Sequence, residues 1–389
     1  MTLKEELEIL RGEPIKVFTG DPMDIPCIET SDPEKLCKHP VVSVQMITYN
    51  HEPYIRQAIE GVMMQKTDFE FELVIGEDCS QDKTREICFE YQKKYPDKIR
   101  VLWWHENVSK LGGNGRRTGA HCRGEFIALC EGDDYWIDPL KLQKQVDIMR
   151  QHPNVGLCFC RARIDKEGIS DIRIWNDGCY WKPGYIKGYD FFKRFGFGIP
   201  SGGRDSGFLM TATVLLRRGV LEKARSDYEL LRWALHLGDV QTWMGVSLLS
   251  DLYFLDDVVS VYRQVASGAC VSNGIRVVLD ARLCRIWYYV MVVSKRPELC
   301  IFDAAARLLN DWLYNVNWQV SYDALISRLQ KLDTLKPWIF SWQVRPVLVF
   351  RHIFGVSRFS RKASGRFVKY IIPLFPRSNF PTREIRGGV

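Results

Sequence analysis

The sequence predicts an α/β fold with a doubly wound, mostly parallel sheet, and three observations carry that expectation. Short, mostly apolar runs lie at 41–48, 71–76, 99–103 and 125–130, the first of them before polar residues, as expected for parallel strands buried on both faces. Between them, apolar residues recur at helical spacing over 10 to 15 residues, the signature of crossover helices. Acidic turns follow two of the runs, at the strand ends where such sheets bind ligands.

Residues 1–39 hold a helical pattern at Leu3, Leu7 and Leu10, then a stretch rich in Pro and Asp, and are expected to pack as an extension on the main domain. After the first strand, Ile55, Ala58, Ile59, Val62 and Met63 mark one face of a helix. The second strand leads to a helix over 82–95 with Ile87 and Tyr91 inward. A glycine-rich turn at 111–115 separates the third and fourth strands. Asp138 as N-cap and Pro139 as first helical residue open a helix that runs to about Gln151. A strand at 156–163 follows, and the next fifty residues read as irregular, with Trp175, Tyr180, Trp181 and an aromatic stretch at 191–197. Loops of that length often wall a substrate site. Strands at 211–216 and 253–262 flank a helix near 243–249. Beyond about Ser272 the pattern is helical, at 275–293, 301–315 and 322–332. The expected units are therefore 1–39, 40–272 and 273–389.

Composition narrows the function classes. With 389 residues, 46% hydrophobic and 26% charged, the chain has a globular balance that excludes disorder and integral membrane character overall. Aromatics at 12% suit sugar stacking, a membrane interface or a large aromatic core. The twelve cysteines lack paired spacing, and Cys158 and Cys160 alternate on one strand face, which argues against a zinc site and for a reducing compartment. The first twenty residues are charged and interrupted by Pro and Gly, unlike a secretory signal, so a cytoplasmic location is expected.

The net charge of +7 is uneven. From Arg345 onward ten Lys or Arg face one acid, Glu384, a local +9 that leaves the preceding 344 residues at −2. The basic balance belongs to the tail. Trp338, Trp342, Phe350 and Phe367 among those charges form a basic aromatic amphipath suited to an anionic membrane surface, with an RNA-binding tail or an oligomer contact as alternatives.

The chemistry-bearing residues are two acidic clusters, Glu77 and Asp78 with Asp82, and Glu131, Asp133 and Asp134 around Gly132. Adjacent carboxylates repel, so several at one rim call for a cation, and a diphosphate joins them only through a hard ion such as Mg²⁺ or Mn²⁺. Solvated loop acids are the plainer explanation of either cluster alone.

Three segments, VSVQMITYN at 42–50, FELVIGEDCSQD at 71–82 and GEFIALCEGDDYWIDPLKL at 124–142, resemble the signatures of family-2 glycosyltransferases of GT-A fold, enzymes of bacterial surface polysaccharide assembly among them. The resemblance covers roughly residues 40–265, about 58% of the chain. It implies a GT-A, Rossmann-like sheet and inverting transfer of a sugar from a nucleotide donor, a UDP-sugar, to a glycan or lipid-linked acceptor. No nucleic acid partner is expected.

Carried over by position, the resemblance puts Thr48, Tyr49 and Asn50 at the donor, with Tyr49 against the base and Asp78 accepting the uracil N–H. Glu131 and Asp133 fall on the acidic positions of the DxD motif, Asp133 as main metal ligand and Asp134 behind it. Glu131 departs from the usual Asp by one methylene. Asp239 matches the place of the catalytic base that an acceptor hydroxyl requires, and it is also a good helix N-cap. Arg263 would reach the diphosphate or lie on the surface, and Arg117 is a further donor contact. Many relatives carry a histidine two residues after the position of Arg263, where this chain has Val265.

Two rival readings remain. A sugar-phosphate nucleotidyltransferase would carry a glycine-rich entry loop with a basic residue, which residues 48–52 lack. A catalytically silent assembly partner is favoured by Val265 and Glu131.

Overall fold

Mostly apolar runs become central strands in this chain because helices cover the sheet they build. The structure is a computed structural model that describes residues 26–108, 113–166, 169–175, 181–197, 209–228 and 238–264. The pattern at Leu3, Leu7 and Leu10, the stretches at 275–293, 301–315 and 322–332, the tail from Trp338 and position Val265 lie outside the described residues.

The first half of the domain contains β1 (Ile28–Thr30), β2 (Val42–Thr48), α1 (Ile55–Met63), β3 (Phe71–Glu77), α2 (Thr84–Lys94) and β4 (Ile99–Trp103). Then come α3 (Asn114–Ala120), β5 (Phe126–Leu129), β6 (Tyr135–Trp136), α4 (Lys141–Gln151), β7 (Val155–Lys166) and β8 (Ile169–Trp175). The rest is β9 (Gly184–Ile186), α5 (Gly188–Phe197), β10 (Leu215–Arg217), α6 (Arg218–Tyr228), α7 (Gly238–Leu249) and β11 (Asp251–Gln264).

These strands make one sheet in the order β1, β4, β3, β2, β5, β10, β7, β11, β6, with β8 on β7 and β9 on β11. The block β4, β3, β2, β5 is parallel, in register from Val42 opposite Phe71 to Thr48 opposite Glu77. Val44, Met46, Leu73, Ile75, Val101 and Phe126 are fully buried within it or nearly so. Each such side chain contributes ~1.5–3 kcal/mol by leaving water. Helix α3 lies so close to β3 that a Cβ on Gly76 would come 1.9 Å from Thr118 Oγ1, so only glycine lets the two pack. Among the described residues no helix is long and apolar enough to cross a membrane.

The second half is where the mostly parallel sheet becomes mixed. β10 runs antiparallel to both β5 and β7, and β11 returns to parallel pairing with β7. Residues 211–213 form a 3₁₀ turn ahead of β10 rather than the start of a strand. The stretch expected to be irregular contains β8, β9 and α5, because its aromatics pack on each other: Trp181 stacks on Phe191 with ring centroids 5.2 Å apart, and Phe191 on Phe195 at 5.1 Å. Of the turn expected at 111–115, residues 111 and 112 lie outside the described residues, Gly113 precedes α3, and Asn114 and Gly115 belong to that helix. Helix α4 starts at Lys141, not at Pro139. Asp138 serves it from outside, its Oδ1 accepting the Leu140 N–H at 2.9 Å and its carbonyl the Lys141 N–H at 3.2 Å.

A charged residue sits inside the core beneath β5 and β7. Lys141 is fully buried, donates to Gln145 Oε1 at 2.8 Å and places its ammonium 4.1 Å from the centre of the Trp136 ring. Burial pulls its pKa down from 10.5 to about 8, against the weaker pull of the neighbouring Cys160, Cys130 and Cys158. Between those pH values the unfolded chain binds a proton that the folded protein has released, so folding stability rises with pH. Relative to Lys141→Met, the wild type is expected to gain about 3 kcal/mol between pH 7.5 and 10.5, at ~1.4 kcal/mol per unit. Urea denaturation of both proteins across that range checks it, and parallel stability curves would refute it.

Candidate active site

The end of β2 is gripped from both sides. Thr48 O accepts the Asp78 N–H at 3.0 Å, and Ile47 O accepts the Gly132 N–H at 2.9 Å. The loops after β3 and β5 therefore meet over one strand end, and Asp78 and Asp133 belong to the same rim. A Cβ on Gly132 would come within 2.6 Å of Thr48 Oγ1 and 2.9 Å of His51 Nδ1, which makes glycine the only residue that fits between the two acids.

The two acidic clusters do different work. Glu77 is fully buried and already neutralised: Arg85 Nε donates to its Oε2 at 2.5 Å and Ser80 N–H to its Oε1 at 2.7 Å. Asp82 accepts the Thr84 N–H and the Glu52 N–H, both at 3.0 Å, and so ties the start of α2 to the loop after β2. Asp78 is buried, and its Oδ1 accepts the Val108 N–H at 2.7 Å. For Glu77 and Asp82 the expectation of a cation is thus corrected, because their charges go to Arg85 and to backbone N–H groups.

The second cluster keeps its charge problem. Glu131 is pushed well above the usual carboxylate range by burial first, then by Asp134, Asp133 and Asp239. Asp134 is raised by burial and by Asp133, while the Arg263 backbone N–H, 2.9 Å from its Oδ1, acts the other way. That bond makes Asp134 a clasp on β11, 2% exposed, whereas the Asp133 side chain is 22% exposed and reaches the rim. A divalent cation is what such a donor set accommodates, since it would relieve the repulsion that now favours protonation. Among the described residues, however, no three His, Cys, Asp or Glu side chains are arranged to hold an ion by themselves. The residues present fit a cation only if the ligand supplies further oxygens, as a diphosphate does.

The remaining expected residues fall around this rim. Tyr49 is 38% exposed, with its ring open at the strand end. Asn50 sits in the left-handed region at φ 55°, and its Oδ1 accepts the Gln81 N–H at 2.8 Å, so it braces the neighbouring loop. Thr48 is buried. Arg117 is buried under the Asp78 side of the rim, its guanidinium 5.8 Å from the centre of the Trp104 ring. Burial lowers its pKa and the Asp78 charge opposes that. Arg263 lies over Tyr135 at 4.3 Å and donates to Asp133 O at 2.7 Å and to Gln57 Oε1. Asp239 opens α7, its Oδ1 accepting the Val240 N–H at 2.6 Å. Its charge reaches Glu131 from an element remote in sequence.

The model of glycosyl transferase family 2 matches residues 43–224. This segment is a family-2 glycosyltransferase domain. An uncharacterized protein of Mycobacterium tuberculosis is 42% identical to this chain over 131 residues, 33% of this chain and 38% of that protein. An uncharacterized glycosyltransferase of Methanocaldococcus jannaschii is 29% identical over 195 residues, 50% of this chain and 61% of that protein. The chain thus spans well under half the length of the mycobacterial relative. Residues 1–349 of TarS from S. aureus, solved in complex with UDP-GlcNAc, superpose with a TM-score of 0.52 at 17% identity, covering 76% of this chain and 83% of that one. The likeness is one of fold, and the glycosyltransferase domain has the GT-A architecture.

One residue of the glycosyltransferase domain was not singled out from the sequence. His51 Nε2 lies 3.9 Å from Asp133 Oδ2, too far for a hydrogen bond. Burial lowers the His51 pKa, against the pull of Asp133 and Asp82. Its only signal in the sequence is its place three residues after Thr48, in a loop whose return toward Gly132 is a tertiary fact.

Proposed function

We propose that the domain transfers a sugar, with inversion, from a nucleotide sugar to a hydroxyl of a glycan or lipid-linked acceptor. The observation that carries the reading is the meeting of the loops after β3 and β5 over the end of β2, where the Asp78 N–H donates to Thr48 O at 3.0 Å and the Gly132 N–H to Ile47 O at 2.9 Å. In this reading Asp239 is the base for the acceptor, and the acidic loop anchors the diphosphate. The uridine preference is supported by the TarS complex with UDP-GlcNAc and by the pairing of an open ring, Tyr49, with a buried carboxylate, Asp78.

In this reading Tyr49 faces the base, Asp78 accepts an imide N–H, and Arg117 and Arg263 bear on the donor from two sides. Asp133 and Glu131 would hold Mg²⁺ or Mn²⁺. The bound cation supplies neutralisation of the charge that collects on the diphosphate as it leaves. Asp239 takes the proton of the acceptor hydroxyl, whose oxygen attacks the anomeric carbon while the bond from that carbon to the diphosphate oxygen breaks. Attack opposite the departing group inverts the centre. The basic aromatic tail would bring the enzyme to an anionic membrane and a lipid-linked acceptor.

The test is a panel of nucleotide sugars with the full chain and Mn²⁺, read by mass and by melting temperature. One UDP-sugar is expected to be turned over, slowly by water when no acceptor is present. Because the rim is short of side-chain ligands, UDP and Mn²⁺ are expected each to tighten the other. If neither UDP nor any nucleotide sugar shifts melting in the presence of Mn²⁺, the reading fails.

A further inference from the structure

Two buried polar atoms beside the acidic loop make no hydrogen bond within the described residues: Thr48 Oγ1 and His51 Nδ1. Thr48 is 2% exposed, so its hydroxyl has no route to bulk water. Both atoms lie within 3 Å of the point that a Cβ on Gly132 would occupy, at 2.6 and 2.9 Å, and so they meet over the Gly132 α-carbon. Buried polar atoms left unsatisfied cost ~1–3 kcal/mol each. The two atoms do not bond each other as they stand, and a small turn of the imidazole that let His51 Nδ1–H donate to the Thr48 hydroxyl would relieve both.

Such a bond would fix the tautomer. With the proton on Nδ1, the lone pair of His51 sits on Nε2, the atom that faces Asp133 Oδ2 across 3.9 Å. The opposite tautomer would aim an N–H at Asp133 from beyond hydrogen-bond range and leave Nδ1 unsatisfied. A lone pair and a carboxylate oxygen at this separation are bridged by one divalent ion at ~2.1 Å from each with little adjustment. A ligating imidazole whose other nitrogen is held by an acceptor is the usual arrangement at metal sites. The side chains of His51 and Asp133 are exposed to similar extents, 23% and 22%, so both reach the same part of the rim.

We propose that His51 Nε2 and Asp133 Oδ2 together hold the donor-bound divalent cation, and that Thr48 positions the imidazole for it. This rests on the metal-assisted donor reading above. It also bears on the choice between the two candidate ions: Mg²⁺ takes oxygen ligands in a strict octahedron, so a nitrogen ligand counts against Mg²⁺ and leaves Mn²⁺ the better fit.

Pulsed electron paramagnetic resonance of Mn²⁺ on the full chain with UDP tests the contact without turnover. The wild type is expected to show modulation from a directly bound imidazole nitrogen, altered when the protein carries [¹⁵N]histidine. His51→Gln is expected to lose it and to bind Mn²⁺ with UDP about tenfold more weakly, and to narrow the preference for Mn²⁺ over Mg²⁺. UDP binding without metal should be unchanged. Thr48→Val is expected to weaken Mn²⁺ in the same direction. Mn²⁺ bound with UDP but without nitrogen modulation in the wild type overturns this assignment alone, as does modulation that persists in His51→Gln. If the wild type takes up no Mn²⁺ with UDP, the donor reading and this assignment fall together.

Discussion

Replacing Asp239 by Asn is expected to slow sugar transfer by ~10²–10⁴-fold, the range for loss of a positioned general base, with UDP affinity unchanged. The substitution is mild for the fold. Asp239 Oδ1 accepts the Val240 N–H at 2.6 Å, and an amide oxygen keeps that bond, so α7 starts where it did. What disappears is the capacity to take a proton. Single-turnover transfer with the donor found in the panel, beside calorimetric titration with UDP, separates the two roles. Transfer at the wild-type rate would reduce Asp239 to a helix-start residue, and equal losses of transfer and UDP affinity would make it part of the donor site.

Replacing Arg85 by Met is expected to destabilise the domain by ~3–5 kcal/mol, the size of effect seen when one partner of a buried ion pair is removed. Glu77 has no exposed surface, and after the change only the Ser80 N–H would face its carboxylate. Arg85 also donates to Trp104 O at 3.0 Å, which joins the Asp78 loop to the end of β4. The double substitution Glu77→Gln with Arg85→Met should therefore be more stable than Arg85→Met alone. Guanidinium denaturation of the four proteins gives the coupling. Identical midpoints for the single and double variants would show that Glu77 bears no buried charge.

These two variants mark what was and was not legible in the sequence. The parallel block was legible because a strand buried on both faces is mostly apolar, and 42–48, 71–77 and 99–103 are so apart from residues such as Ser43, Glu72 and Arg100, which pair with one another or with Arg123 across the strands. The second half was harder. β10 is three residues long and enters the sheet antiparallel, and neither its length nor its direction leaves a periodic signal. The acidic residues show the same divide. Their number and their place after strands predict a charged rim, but sequence cannot say which carboxylate another side chain has already neutralised.

By itself, the sequence determined the strand and helix alternation, the three family segments, and the position of acids and glycine at the strand ends. Those are local properties: apolar continuity, helical period, and a motif of fixed spacing. Only the tertiary structure decided that Glu77 and Asp82 serve the scaffold while Glu131, Asp133 and Asp134 retain their repulsion. It alone brought His51 to Asp133 and Asp239 to Glu131. Charge neutralisation and burial depend on distances between segments far apart in the chain, and those distances are set by how the loops close over β2.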